Sequence, residues 1–154
     1  MSLHADDVKT VLDLALGRIT LAELEGMTAE QAQEIAQTAC ELAEAGRLNE
    51  ARTLFEGLTA VNPLDAAAHA ALGTVQLKLG LAGDALASFD RALALVPEHP
   101  VALMGRGELR LQRGDRGGLE DVARAFQSDP EGRTSAGRRA QGLMKVLVLG
   151  AVKA

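Results

Sequence analysis

The chain has 154 residues, 47% of them hydrophobic, with three phenylalanines and neither tryptophan nor tyrosine. A core with so few aromatic residues has to be built from Ala, Leu and Val, which favours closely packed helices over a β-sheet. The formal net charge of −5 argues against nucleic acid as a partner, because phosphate binding requires a concentrated basic surface. With a single cysteine and no apolar run of about 18 residues, neither a disulfide framework nor stable membrane insertion is expected.

Residues 5–17 predict a first, amphipathic helix. Its apolar residues recur at the spacing of one helical face and include Val8, Val11, Leu12 and Leu16. Such a helix needs a surface to cover its apolar side, either the rest of its own chain or a second copy, so these four residues are candidates for a dimer interface. The acidic residues at the start do not fit a secretory signal, and we expect a cytoplasmic protein.

Two capping-box patterns follow this helix. The first, Thr20–Glu23, predicts a short helical turn that ends at Gly26. The second, Thr28–Gln31, predicts the start of a longer helix that runs from about Ala29 to Ala45.

Small and apolar residues then recur with a period of 34 residues. Counted from Ala66 as position 1, the residues at positions 7, 8, 15, 20, 24, 27 and 32 are Leu72, Gly73, Gly80, Ala85, Phe89, Ala92 and Pro97. Counted from Ala32, positions 11, 15, 20, 24, 27 and 32 hold Leu42, Gly46, Ala51, Phe55, Leu58 and Pro63. These are the marker positions of the tetratricopeptide repeat, a helix–turn–helix unit that buries its apolar face by stacking on its neighbours.

A third copy begins at Pro100 and departs from the pattern. Gly107 and Gly114 match Gly73 and Gly80, after which one residue is missing, and the sites normally held by Ala, Phe and Ala are held by Gly118, Val122 and Ala125. Arg106 and Arg110 stand where apolar residues are usual, so the interior of this unit stays open. The surrounding arginines have two readings: solvated helix faces, or a surface for an anionic partner.

The last predicted helix runs from about Ser135 to Leu149 and packs either on the repeats or on another subunit. The predicted fold is therefore all-α: a right-handed α-solenoid of three tetratricopeptide repeats with N-terminal and C-terminal flanking helices. We expect a single domain over residues 1–154, made of an N-terminal extension (1–28), repeats at 32–65, 66–99 and 100–131, and a C-terminal capping helix (132–154).

In this architecture the first helix of each repeat lines a concave groove. The candidate groove residues are Ala36, Cys40, Ala67, Ala70, Thr74, Leu77, Val101 and Met104. This lining is small and mostly apolar, and it lacks the Lys, Asn and Arg donors that would grip a peptide carboxylate, so it favours an extended apolar segment of a protein client. The alternative is that a flanking helix of the same chain covers part of the lining.

Residues for catalysis or metal binding are not grouped in the sequence. His4, His69 and His99 stand apart, and the glycine-rich run from Gly105 to Gly118 lacks the Gly-Lys-Ser/Thr ending of a phosphate loop. We therefore expect neither an enzyme nor a cofactor.

Residues 17–73, beginning GRITLAELEGMTAEQ, together with the preceding amphipathic helix resemble the class II, or translocator, chaperones of bacterial type III secretion. The similarity extends over roughly Leu14 to Leu149. It implies a cytoplasmic chaperone whose groove holds an extended segment of a membrane-inserting translocator before export, and whose N-terminal helix supports dimerisation. The aromatic groove residues common in that family are absent here, at Ala36, His69 and Ala70. The alternative function is a general scaffold that joins folded proteins in a bacterial assembly.

Overall fold

Residues 26–153 form seven α-helices and no strand. The computed structural model describes these residues, with the side chain of Val152 excepted, and also Lys9 and Asp13. The predicted dimer residues Val8, Val11, Leu12 and Leu16, and the capping box at Thr20–Glu23, lie outside the described residues. The helices are α1 (Ala29–Glu44), α2 (Leu48–Val61), α3 (Ala66–Lys78), α4 (Ala82–Leu95), α5 (Pro100–Gln112), α6 (Gly118–Ser128) and α7 (Ser135–Lys153).

Side chains at the helix starts fix where the first helices begin. The capping box predicted at Thr28 is confirmed: Thr28 Oγ1 accepts from the Gln31 backbone at 3.2 Å, and Gln31 Oε1 accepts from the Thr28 backbone at 2.8 Å. Asp65 caps α3 by accepting from the Ala68 amide at 3.0 Å. Each cap satisfies an amide that the first turn of a helix leaves without a partner.

A glycine ends the turn between the two helices of each repeat. Gly46, Gly80 and Gly114 have φ angles of 80°, 77° and 76°. Glycine takes this left-handed conformation without the steric penalty that a side chain brings. The same backbone turn thus recurs at the same position of all three units, as the sequence period predicts.

The core is built between helices from small residues and phenylalanines. Ala51, Ala85 and Phe89 are completely buried, and Phe55 is 2% exposed. The Phe89 ring lies against the backbones of α3 and α5 at Gly73 and Gly105, where an added Cβ would come within 2.7 and 2.2 Å of it. Glycine at these sites lets the ring occupy the space between two successive repeats.

The helices pair in sequence order, α1 with α2, α3 with α4 and α5 with α6, and the pairs stack along the chain. The first helices contact one another directly, α1 with α3, α3 with α5 and α5 with α7, whereas the second helices of residues 26–153 form no comparable contacts. The first helices are therefore the inner row of the stack. This confirms the predicted all-α stack of tetratricopeptide repeats with a C-terminal helix, although α7 continues to Lys153 rather than ending near Leu149.

Candidate functional site

The inner row of first helices forms the candidate binding surface. On α1, Ala36 is half-buried and Cys40 is exposed, and on α3, Ala67 is exposed while Thr74 and Leu77 are half-buried. Thr74 Oγ1 donates to the Ala70 carbonyl of its own helix at 2.9 Å, which leaves the surface around it without a free hydroxyl donor. These five side chains give a shallow surface that is small and largely apolar.

Two of the predicted groove residues are not at this surface. Ala70 is 1% exposed and Met104 is 0% exposed, and both belong to the core cluster that contains Ala102, Ala136 and Ala140. The reason is that α3 packs on α5 and α5 packs on α7, so Ala70 and Met104 are covered by the next first helix, whereas Ala36, at the same position of α1, stays half-buried. The prediction that Ala70 and Met104 line an open groove is wrong. Val101 is half-buried and packs against the same cluster.

The net charge of the inner row differs between the two ends of the stack. On α1, partial burial of the sulfur and the nearby carboxylates of Glu44 and Glu41 raise the pKa of the Cys40 thiol above its usual range. On α5 and α7, Glu108 and Arg139 form an ion pair between neighbouring first helices. The groove is therefore acidic around Cys40 and neutralised where α5 meets α7.

The third repeat contains an ion-pair cluster that the sequence did not reveal. Asp121 of α6 is only 2% exposed, and its carboxylate accepts from Arg106 Nε and Nη2 at 2.8 and 2.7 Å and from Arg110 Nη1 at 3.2 Å. The hydrogen bonds that Arg106 donates to the Asp121 carboxylate raise the pKa of the Arg106 guanidinium. Arg106 also reaches Asp90 at 3.0 Å, and Arg110 reaches Asp115 at 2.7 Å. These two arginines are thus paired inside the protein rather than offered to an anionic partner.

The sequence does contain a signal for this ion-pair cluster, namely opposite charges at interior positions of the same repeat. Arg106 and Arg110 stand on the first helix at positions where apolar residues are usual, and Asp121 lies on the second helix next to the interior residue Val122. Reading the two helices together would have paired them, because a buried charge requires a partner of opposite sign.

Histidines serve local structure in the described chain. His99 Nδ1 accepts from the Ala102 amide at 3.4 Å and caps α5, and burial lowers the pKa of this imidazole. The His69 ring nitrogen Nε2 lies 3.0 Å from the Pro63 carbonyl oxygen. Within residues 26–153, together with Lys9 and Asp13, no three His, Cys, Asp or Glu side chains are grouped as metal ligands. No helix in the same residues has the length and apolar character needed to cross a membrane.

Comparison with known families agrees with this geometry. The family model of the tetratricopeptide repeat matches residues 37–100 and 71–128, and the two matches together span most of the described helices. The chain belongs to the tetratricopeptide-repeat family. No curated protein matches this tetratricopeptide-repeat chain by sequence.

Solved structures with the same fold include chaperones and other repeat domains. The type III secretion translocator chaperone SycD of Yersinia enterocolitica is 17% identical with a TM-score of 0.69, covering 83% of this chain and 98% of SycD. PcrH of Pseudomonas aeruginosa is 21% identical with a TM-score of 0.70, covering 81% and 97%. The repeat domain of Arabidopsis OM64 is 15% identical with a TM-score of 0.63, covering 73% and 93%. At these identities the shared property is the fold.

Proposed function

We propose that this tetratricopeptide-repeat protein is a non-catalytic, cytoplasmic chaperone that holds an extended apolar segment of a client protein against its inner row of helices. The observation that carries the proposal is the open surface formed by Ala36, Cys40, Ala67, Thr74 and Leu77 on α1 and α3. Small side chains leave room for a peptide backbone, while the aliphatic walls favour apolar anchors of the client.

The solved relatives support this reading of the groove. SycD is known in complex with a peptide of the translocator YopD, and PcrH with the chaperone binding regions of PopB and PopD. By analogy we infer that the client here is a translocator of a type III secretion system, kept soluble before export. These relatives share the fold of this chain, and identification of the co-purified client tests the assigned client class.

The chemistry of the surface narrows the kind of client segment. Helix α1 has no basic residue, and the carboxylates of Glu44 and Glu41 lie near Cys40; the one lysine of α3, Lys78, is in its last turn. An internal, uncharged or basic stretch of a client fits such a surface better than an acidic chain end. The proposed ligand is therefore an internal extended segment with apolar side chains.

A co-purification experiment tests the proposal. Tagged wild-type protein is isolated from its native cell alongside Ala67→Glu, which adds charge to the exposed groove surface of α3, and Ala87→Glu, which adds the same charge to an exposed site of α4. We expect the wild type and Ala87→Glu to retain a secretion substrate and Ala67→Glu to lose it. Undisturbed capture by Ala67→Glu would remove the groove from the proposal.

The identity of the co-purified proteins separates the two functions. Recovery of folded cytoplasmic proteins, with no secretion substrate among them, would favour the general scaffold. A second readout is the alkylation of Cys40: a client lying in the groove protects this exposed thiol, whereas a scaffold that binds through its outer helices leaves it reactive.

A further inference from the structure

The second half of the last helix, α7, is the most open part of the described stack. In its first half, Ala136 and Ala140 are buried in the core cluster of the third repeat. From Lys145 onwards the described residues are exposed, with the exception of Leu147, which is half-buried. One side of the helix is therefore anchored to the repeats, and the other side is open to its surroundings.

Three large aliphatic residues stand on this open side. Val146, Val148 and Leu149 are 65%, 57% and 61% exposed. The described chain has three other exposed large hydrophobic residues, each standing singly in a different part of the stack: Leu64, Val96 and Leu119. Single exposed residues are common at protein surfaces, whereas a group within four positions of one helix indicates an interaction surface.

Helical spacing places lysines among these aliphatic residues. At about 3.6 residues per turn, five residues lie on the arc of about 160° that faces away from Leu147, in the order Val148, Lys145, Leu149, Lys153 and Val146. A face that mixes aliphatic and lysine side chains is typical of helices that lie at the boundary between lipid headgroups and acyl chains. The aliphatic part of each lysine can remain beside the acyl chains while its ammonium group extends to the headgroups.

The charge of α7 is opposite to that of the whole protein. The helix has four basic residues and no acidic one, whereas the chain has a formal net charge of −5. Arg139 is paired with Glu108 of α5, but Lys145 and Lys153 form no ion pair within the part of the chain that the structure describes. Ammonium groups beside exposed aliphatic side chains are complementary to a surface that is both apolar and anionic, and a bilayer with anionic lipid is such a surface.

We propose that the second half of α7 docks this protein on the surface of a bilayer that contains anionic lipid. Val146, Val148 and Leu149 enter the boundary between headgroups and acyl chains, and the two lysines contact lipid phosphates. Because these residues share one side of the helix, α7 lies along the bilayer surface. The repeats, anchored to its opposite side, remain in water. This contact goes beyond the proposed client binding and does not depend on it.

A bilayer covers this face more completely than a partner helix would. An apolar groove of 530 Å³ lies between α6 and α7, and its lining includes Phe126, Met144, Val148 and Leu149. A helix bound in this groove would cover Val148 and Leu149 but not Val146, which does not line the groove. A lipid surface has no fixed shape and can cover all three aliphatic residues together with the lysines between them.

Vesicle flotation of the purified full-length chain tests the proposal. Vesicles of phosphatidylcholine alone are compared with vesicles of equal parts phosphatidylcholine and phosphatidylglycerol. We expect the protein to float with the anionic vesicles and not with the neutral ones, and the bound fraction to fall as the salt concentration rises. No client is present, so failure of client binding does not affect the result. Binding to neither kind of vesicle, or equal binding to both, would overturn the proposal.

Aliphatic variants determine whether α7 makes the contact. Val146→Gln with Leu149→Gln should bind anionic vesicles about tenfold more weakly, because it removes apolar surface from the proposed contact. The matched control, Leu64→Gln with Val96→Gln, changes exposed hydrophobic residues elsewhere and should bind like the wild type. Circular dichroism melts establish that each variant is folded. Full binding by the α7 variant, or an equal loss in the control, would remove α7 from the contact.

Lysine variants test the electrostatic part of the contact. Lys145→Gln with Lys153→Gln should weaken binding to anionic vesicles about tenfold to thirtyfold. The control, Lys78→Gln with Arg116→Gln, changes the net charge by the same amount at exposed sites outside α7, and its binding should change by less than about twofold. A control as weak as the α7 variant would show that net charge alone determines binding, which would contradict a local contact.

A protein partner would give a different pattern. In that case the wild type floats with neither kind of vesicle, and Val148→Gln with Leu149→Gln loses a co-purifying protein that Val146→Gln retains. Such a result would assign the groove between α6 and α7 to a partner helix and would overturn the bilayer contact. The bilayer contact instead requires that Val146→Gln alone weakens flotation with anionic vesicles, since Val146 lies on the proposed lipid face.

Discussion

Arg106 donates two hydrogen bonds, from Nε and Nη2, to the two carboxylate oxygens of Asp121 at 2.8 and 2.7 Å. The pair joins α5 to α6 in the interior of the third repeat, whereas the corresponding part of the second repeat has a buried hydrogen bond that Ser88 Oγ donates to Gln76 Oε1 at 2.7 Å. Gly107 and Gly118 allow the close approach of these helices, because a Cβ on Gly118 would lie 2.5 Å from the Gly107 carbonyl oxygen. Gly107 matches Gly73 of the second repeat, and Gly118 stands where the first two repeats have Ala51 and Ala85.

Removal of Asp121 should destabilise the protein. Asp121→Ala leaves Arg106 largely buried and without its main partner. We expect a loss of about 2–3 kcal/mol in unfolding free energy. This is less than the ~3–5 kcal/mol lost when a fully buried pair is broken, because Arg106 retains some solvent contact. Asp90→Ala is the control, since its carboxylate is 54% exposed. Urea unfolding measures both variants. A loss for Asp121→Ala as small as that for Asp90→Ala would contradict the assigned role.

Replacing both partners should cost much less than removing one. Arg106→Leu restores the apolar residue usual at this position, and combined with Asp121→Ala it removes both charges of the pair, while Arg110 keeps its ion pair with Asp115. Because buried ion pairs contribute little relative to apolar packing, we expect the double variant to be within about 1 kcal/mol of the wild type. The same unfolding measurements complete this double-mutant cycle. A double variant that loses as much as Asp121→Ala alone would show that packing, and not the unpaired charge, determines stability here.

Gly105→Ala should destabilise the stack, although alanine normally favours a helix. An added Cβ would be 2.2 Å from the Phe89 ring, which is completely buried and lies against Gly73 on its other side. Overpacking of this kind costs about 1–3 kcal/mol. The control is Gly142→Ala, an open site of α7, where we expect a gain of roughly 0.5–1 kcal/mol. Thermal melts of the two variants should shift in opposite directions, and a stabilised Gly105→Ala would contradict the ring contact.

Asp129 should make stability fall in acid. The Thr134 and Arg133 amides and the Thr134 hydroxyl donate to its carboxylate, which lowers the pKa to about 2 from an ordinary value of 3.8. Because the folded state favours the charged carboxylate, these hydrogen bonds add to the free energy of unfolding above pH 3.8. The added stability is lost as the pH falls towards 2. Urea midpoints should therefore show a gap between wild type and Asp129→Asn that narrows over this window. A gap independent of pH would contradict the assigned hydrogen bonds.

The Cys40 thiol should react slowly for an exposed cysteine. Its partial burial and the nearby Glu44 and Glu41 carboxylates raise the pKa, so the reactive thiolate is less populated at about pH 8 than in a free cysteine. We expect iodoacetamide to label Cys40 more slowly than a model thiol. Glu44→Gln should raise the rate by lowering the thiol pKa, whereas Glu30→Gln, at the other end of α1, should not. Equal rates in all three proteins would contradict the electrostatic effect.

The sequence predicted the repeats because their markers are local. Gly46 and Gly80 mark the turns, and Phe55 and Phe89 mark the buried site between helices. Each marker recurs after 34 residues, so the spacing alone is sufficient to find the repeats. The burial of Ala70 and Met104 was not predictable in this way, because it depends on how closely the next first helix approaches. The pairing of Arg106 with Asp121 was missed for a related reason: the two residues are fifteen positions apart and meet only after α5 and α6 have packed.

Phe89 also determines how the repeats depend on one another. Its ring is in contact with Gly73 in its own unit and with Gly105 in the next one, so a single side chain belongs to both interfaces. Neither unit can unfold locally without exposing this ring to water. In a linear array each repeat contacts only its neighbours. A side chain shared by two repeats therefore makes their unfolding cooperative. Amide exchange in α3, α4 and α5 should accordingly occur through one common opening rather than three.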